Sequence, residues 1–297
     1  MISCAQNFED VMLWRALKHV KNGFYIDVGA WSPDQDSVTR WFYDSGWRGI
    51  SIEPNPEFHE QLNERNPEDI NLKIALSDQP GKQWINFLSI PGLSTLDDDI
   101  AAKHHKDGWG INRQEVEIST LSEVWENNIP SDQDVHFLKV DVEGLEEAVL
   151  RGNDWDRNRP WIAVIEATLP MTQVEAHEPW EKILKQADYV FAYADGLNRF
   201  YVAKEQEQLK EALKYPPNVF DGFKLVGQQQ AEAKAEQADA AAHQYASQLA
   251  AVYKSRSWRI TAPLRWTIDQ VRSLSQHGLK ARLKAEAKAD QHHRDSL

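Results

Sequence analysis

The feature that most narrows the folds open to this chain is a repeated unit: a short apolar, β-rich run that stops on or beside a carboxylate, then a stretch with helical spacing. The run at 24–28 carries Asp27 and ends at Gly29; the run at 49–52 stops at Glu53; the run at 70–76 is closed by Ser77 and Asp78. The run at 135–140 stops at Asp141, and that at 161–165 at Glu166. Helix-like stretches lie at 36–43, 57–65, 145–150 and 180–186. Two further runs, 189–193 and 199–202, are close enough in sequence to pair antiparallel at a sheet edge. Strand–helix alternation implies a mostly parallel sheet covered on both faces, with its functional groups at the carboxyl ends of the strands. Exposed strand ends carry polar residues in any fold, but five runs closed so regularly by acids point to a site.

Charge limits what that site can meet. Lys plus Arg number 33 against 46 Asp plus Glu, a net charge of −13, which repels nucleic acid from most faces. The balance is uneven: residues 226–297 hold 11 basic and 7 acidic side chains, leaving 22 and 39 before them, so the body carries 22 − 39 = −17 and the tail 11 − 7 = +4. The single cysteine, Cys4, has no internal disulfide partner, and the opening residues lack the charged-then-apolar layout of a signal peptide. No apolar run approaches the roughly 20 residues of a membrane span. A cytoplasmic protein is expected, with any membrane contact peripheral at the inner face. Nine of the 12 tryptophans fall between Trp14 and Trp161, an excess that suits a core and also stacking on sugar rings or adenine.

A nucleoside laid across strand ends needs a glycine turn after the first strand and a carboxylate closing the second to accept the ribose hydroxyls. Gly29 and Glu53, 24 residues apart, fill those places. Dinucleotide-binding chains use a fuller G-x-G-x-x-G turn around a pyrophosphate. Here the turn reads DVGAWSPDQDS, with one glycine, no lysine and several acids. That turn would repel a pyrophosphate, which disfavours an NAD-linked oxidoreductase. A sulfonium nucleoside carries positive charge and no phosphate, so S-adenosylmethionine fits acids at Asp27 and 34–36.

The strings AQNFEDVML, GFYIDVGA, IEP, ALSD, GLSTLD, HFLKVDVEG, PWIAVIEAT and DGLNRFYVA occur in that order. Over about residues 3–223 the chain thereby resembles the FkbM-type S-adenosylmethionine-dependent methyltransferases, with LKVDVEG the most diagnostic segment. The resemblance implies an α/β fold: a Rossmann-like, seven-stranded, mostly parallel sheet of the class I methyltransferase type, here with a C-terminal helical tail. It implies methyl transfer to a hydroxyl, typically of a sugar, glycan or polyketide. By matching position it assigns Asp27, Gly29 and Ala30 to the methionine part, Glu53 to the ribose, and Ser77 with Asp78 to the adenine edge. Many members carry Asn and a second glycine after D-V-G-A, where this chain has Trp31-Ser32-Pro33.

Methyl transfer is an in-line displacement that needs an aligned hydroxyl and a group to take its proton. Asp141, Glu143 and His104 are the candidates. Asp141 reads either as a general base or, with Glu166, as a ligand of Mg or Mn that acidifies the hydroxyl; the scarcity of other hard ligands favours independence from metal. Asp141 and Glu143 also read as caps of the helix from Leu145, and Lys139 as a partner for Asp141. His104 and His105 fall in an insertion between the third and fourth strands, where a substrate lid or a solvated turn would sit. Gln6, Glu9 and Asp10 would lie on an N-terminal helix, either over the cofactor mouth or on a plain amphipathic face. Residues 195–199 read as a tight turn, and no Cys/His spacing suggests structural zinc.

Three segments are expected: 1–223 as the catalytic domain, 224–253 as an Ala/Gln-rich helix, and 254–297 as a basic amphipathic tail. Ala235, Ala238, Ala242, Tyr245, Leu249 and Val252 follow the 3,4 spacing of a coiled-coil seam; alanine makes it weak, enough for at most a weak homodimer. Residues 253–284 hold eight Lys/Arg and one acid, Asp269, with tryptophans and a stripe at Leu264, Ile268, Val271 and Leu274 in a helix begun at Pro263. That pattern suits an interfacial helix on an anionic leaflet or docking to an acidic partner. The string SRSWRITAPLR resembles segments that end bacterial glycosyltransferases and methyltransferases of surface-polysaccharide assembly. Two functions follow: an O-methyltransferase acting on a sugar or glycan acceptor, or a non-catalytic scaffold that organises such enzymes, a glycosyltransferase among them, through its tail.

Overall fold

The structure, a computed structural model, describes residues 1–88, 94–95, 110–170 and 172–272. The chain divides into two compact units, Met1–Gln229 and Gln230–Leu297.

The first unit is built on a seven-stranded sheet: β1 (Phe24–Val28), β2 (Arg48–Ile52), β3 (Ile70–Leu72), β4 (Phe137–Val140), β5 (Ile162–Glu166), β6 (Tyr189–Ala194) and β7 (Asn198–Ala203). The spatial order is β6-β7-β5-β4-β1-β2-β3. β1 to β5 run parallel, and β7 is antiparallel to both β5 and β6. From β1 the chain builds outward to β3, then returns to place β4 on the other side of β1. The carboxyl ends of β1 and β4 therefore flank the point where strand order reverses, which is where an open α/β sheet offers its crevice.

Alternation along each strand divides the core in two. Ile26, Val28, Ile50, Ile52, Leu138, Val140 and Ile165 face one layer. Tyr25, Phe137, Ile162, Val164, Phe200 and Val202 face the other, where Met12, Leu13 and Leu17 of α1 (Glu9–Leu17) and Phe42 of α2 (Arg40–Asp44) cover them. Among the described residues this unit also holds the α-helices α3 (Pro56–Arg65), α4 (Leu121–Asn128), α5 (Glu146–Arg151) and α6 (Glu178–Gln186), and 3-10 helices at Lys204–Leu213 and Val219–Asp221. α4 opens on a capping box between Thr120 and Glu123, which satisfies two of its orphan N–H groups.

Three readings of the sequence are corrected. The 70–76 run is not one strand: β3 ends at Leu72, and Ala75–Leu76 joins a separate four-stranded sheet with Gly81–Leu88, Ser94–Thr95 and Ile111–Ser119. β3 is an edge strand of only partly buried residues, so little holds the chain in that sheet once Lys73 interrupts the apolar run. The helix expected over 36–43 is confined to Arg40–Asp44, because residues 36–39 are spent on side-chain contacts and a left-handed Asp36. The helix expected over 145–150 begins one residue later.

The ends of the unit are tied together. Ile2–Ser3 pairs in parallel with Lys224–Leu225, and Arg15 grips Asp221 through two 2.6 Å hydrogen bonds while donating to the carbonyls of Ala212, Tyr215 and Pro216.

Of the second unit the described residues are helical: most of α7 (Val226–Lys254), all of α8 (Arg256–Ile260), and a helix over 262–272. α8 is capped by Ser255, whose hydroxyl accepts from the Trp258 N–H at 3.2 Å.

Candidate active site

Strand register places the acids. Asp27 pairs with Ser51 and Lys139, Lys139 with Val164, and Glu166 with Asn198, so all six side chains share the sheet face that α1 covers. Glu53 and Asp141, each two residues beyond a member of that set, close the same face at the strand ends. Val28 is followed by Gly29, whose N–H and that of Ala30 donate to the Ile52 carbonyl at 3.0 and 3.1 Å, while Asp141 N–H donates to Val28 at 3.0 Å. Gly29 sits at φ +78°, and a Cβ there would lie 1.8 Å from the Asp141 carbonyl oxygen. The first and fourth strand ends thus meet backbone to backbone, a contact only glycine permits.

Lys139 is the cation of this face. Its ammonium donates to the Gly29 carbonyl at 3.0 Å and stands 3.3 Å from Asp27 and 3.4 Å from Asp141. Burial works to lower its pKa, but the two carboxylates outweigh burial and hold it above the ordinary range. Burial raises the pKa of Asp27, against the pull of Lys139 and a 3.2 Å hydrogen bond from Thr39.

Glu53 is 7% exposed, not the open strand-end group its sequence position suggests. It accepts the N–H groups of Trp31 (2.9 Å) and Asn55 (2.8 Å), and burial still pushes its pKa to about 7. Those contacts hold Trp31 at φ +46°, with its ring edge-on to Phe58.

Around β4 and β5 the acids crowd. Burial and then Asp141 raise Glu143 to about 7. Burial, the charges of Asp141, Glu143 and Glu146, and a hydrogen bond with Asp141 push Glu166 to about 10. Oε2 of Glu143 and of Glu166 are both buried without a hydrogen-bond partner. Neither Asp141 nor Glu143 caps α5, whose N-cap Leu145 carries no side-chain cap; Glu146 instead accepts from the N–H groups of Val142 and Gly144 in the turn ahead of the helix. Glu143 is left-handed at φ +54°, followed by Gly144 at +98°, and this turn sends the chain from β4 into α5.

Not every candidate is among the residues joined by these contacts. Ser77 and Asp78 follow Ala75–Leu76 in the separate sheet, with Ser77 N–H bonded to Ser119. His104, with His105, lies outside the described residues. Among the described residues no group of three or more His, Cys, Asp or Glu is disposed to hold a metal ion. Asp10 is turned inward, accepting from Ser3 and Cys4 at 2.8 Å. Glu9 accepts from Asn198 at 2.7 Å, which joins α1 to the strand beside Glu166. Asn198 is legible in the sequence only as a turn residue, and Thr39 not at all, because contacts across the sheet leave no spacing in the sequence.

These raised carboxyls set the pH dependence of stability. Glu9, Glu53 and Glu143 hold protons up to about pH 7 and Glu166 up to about 10, from an ordinary value of 4.5. Across that window the folded chain binds more protons than the unfolded one, so stability falls as pH rises. The melting temperature is expected to drop between about pH 5.5 and 8.5, and Glu166→Gln to flatten its alkaline part. A melting temperature that climbs over the same interval would contradict this arrangement of charge.

The family model described as Methyltransferase FkbM domain matches residues 27–191. Two of the solved structures that match the chain are the following. One is a TehB-like SAM-dependent methyltransferase from Corynebacterium glutamicum, at 10% identity and TM-score 0.36, covering 66% of this chain and 88% of that one. The other is an O-methyltransferase from Bacillus cereus in complex with SAH, at 10% identity and TM-score 0.32, covering 68% and 82%. No curated protein matches.

Proposed function

The chain belongs to the FkbM methyltransferase domain family, and from that premise we propose that it carries a methyl group from S-adenosylmethionine to a hydroxyl of a sugar or glycan, in surface-polysaccharide assembly. The observation that carries this reading is the concentration of Asp27, Glu53, Asp141, Glu143 and Glu166 around one glycine turn, with Lys139 already engaged by three oxygens. Such a site disfavours a pyrophosphate and suits a cationic nucleoside. Glu53 fits the ribose: a carboxylate offers about four lone-pair sites, and two are taken by Trp31 and Asn55. The family resemblance over 3–223 supports a sugar, glycan or polyketide hydroxyl as acceptor, and the string SRSWRITAPLR supports the polysaccharide setting.

When bound, S-adenosylmethionine supplies the electrophilic methyl carbon. The chain's residues manage orientation and the proton. Gly29 and Lys139 fix the first and fourth strand ends against each other, so the acids beyond them keep their spacing. Glu143, with a pKa of about 7 and an unpartnered Oε2, takes the hydroxyl proton near neutral pH. Glu166 remains protonated beside Asp141 and moderates the negative charge there.

Calorimetry with S-adenosylmethionine and its demethylated product, together with label transfer to a glycan extract, tests the proposal. Binding of neither nucleoside would overturn it in favour of a non-catalytic scaffold. Glu53→Ala is expected to weaken cofactor binding roughly tenfold or more, since hydrogen bonds to a charged group are worth about 1.5–3 kcal/mol. It should also lower the melting temperature, because two backbone N–H groups lose their acceptor. A dissociation constant equal to that of the parent would remove Glu53 from the ribose site. Glu143→Gln is expected to lower kcat by about 10²–10⁴ with cofactor affinity retained, and to abolish a rise in kcat/KM through about pH 7. If the variant keeps that rise, the base is another group.

A further inference from the structure

We propose that residues 254–272 form an interfacial element that seats the chain on an anionic lipid surface. Ile260, Leu264, Trp266 and Val271 are 77%, 65%, 64% and 66% exposed, and Trp258 and Ile268 are also open. Leu264, Ile268 and Val271 follow i, i+4, i+7 spacing on the helix over 262–272 and so share one face. This is a dense run of large apolar side chains left in water, of the kind that marks an interaction site.

Charge selects the occupant. Lys254, Arg256, Arg259, Arg265 and Arg272 stand against Asp269 alone, +5 − 1 = +4 over 19 residues. Residues 1–225 carry −17 and are repelled by an anionic leaflet, so this segment has the sign needed to approach one. The Arg265 guanidinium lies 3.6 Å over the Trp258 ring and donates to the Thr261 hydroxyl, pairing a cation with an aromatic body as a headgroup boundary favours. Among the described residues no helix is long and apolar enough to cross a membrane. The Ser255 cap and the Thr261 turn break the segment into short helices, which lets the apolar positions lie in the interface plane, with arginines at the headgroups.

The test is co-sedimentation of the full chain with vesicles of phosphatidylcholine alone or with about 30 mol% phosphatidylglycerol, at low and high salt. Binding is expected on the anionic vesicles only, and to be lost at high salt because the attraction is screened. In the full chain, Arg256→Glu with Arg259→Glu should cut the partition coefficient tenfold or more. Leu264→Ser with Ile268→Ser should do the same with the charge unchanged. Both double variants change exposed residues, and circular dichroism checks that the helices persist. Equal sedimentation on neutral and anionic vesicles, or none on either, overturns the proposal. So does parent-like sedimentation of both variants. If a variant instead abolishes self-association seen by analytical ultracentrifugation while vesicle binding is absent, the face belongs to a second copy and the lipid reading fails.

Discussion

Lys139→Met is expected to cost the folded unit about 3–5 kcal/mol, the usual result of stripping one partner from a buried ion pair, and to lower the melting temperature by roughly 6–20 °C. Lys139 is the ammonium that offsets Asp27, whose side chain is 2% exposed, and it also ties down the Gly29 carbonyl. Methionine keeps much of the volume and none of the charge. The loss should depend on pH in a definite direction. Asp27 left alone takes up a proton more readily than it does beside the ammonium, so the variant is closer to the parent in acid and furthest from it in alkali. Asp27→Asn added to Lys139→Met should recover part of the loss, since no uncompensated charge then remains. Thermal melts of the parent, the single variants and the double variant at about pH 5 and pH 8 test this. Additive penalties at both pH values would show that the two side chains are not coupled.

Gly29→Ala should be nearly as damaging for a steric reason. The added methyl carbon lands 1.8 Å from the Asp141 carbonyl oxygen, at a backbone angle of φ +78°. A side chain in that region costs about 1–2 kcal/mol by itself, and the obstacle is backbone within a parallel strand pair, which has no rotamer to yield. Together these should exceed about 3 kcal/mol, a fall of roughly 6–12 °C in melting temperature. Any fraction that folds must part the ends of β1 and β4, and cofactor affinity should fall with it. A melting temperature within about 2 °C of the parent and an intact dissociation constant would together refute this account of the turn. Gly46→Ala is the useful control, since that glycine has positive φ but nothing within 4 Å of where an added methyl would stand.

The main sheet is legible because β1, β2, β4 and β5 are buried on both faces and so read as largely apolar runs, with Asp27, Ser51 and Lys139 as interior exceptions. The acids at their ends stand out against that background. Less visible is the second sheet, where Ile85 and Phe87 alternate with Trp84 and Asn86, and Val116 and Ile118 with Glu115 and Glu117; Ile85, Phe87, Val116 and Ile118 do gather into a small core. That period-2 signal is real but half-polar, and it flanks a long insertion that reads more readily as a lid. The roles of Glu53 and Glu146 cannot be told from sequence either. Whether an acid at a strand end faces solvent or accepts backbone N–H groups depends on where the next loop turns, and those turns rest on left-handed residues such as Trp31 and Glu143. Residues of that type carry no composition signature when they are not glycine or asparagine.

The tie between the two ends of the first unit also fixes the order in which the protein can be completed. Arg15 leaves the ribosome well before its anchor Asp221, which lies 206 residues later; at about 5–20 residues per second that is a wait of about 10–40 s. Throughout it, Ile2 and Ser3 have no strand to pair with, and the aromatic ring of Phe8 has no Phe223 beside it. Contacts of α1 with the sheet, such as the Glu9–Asn198 hydrogen bond, can form before that strand pair does, so the segment around Ile2 and Ser3 stays the most exposed to proteases and to misassembly until the pair closes. Any extension fused there meets the final step of folding rather than the first.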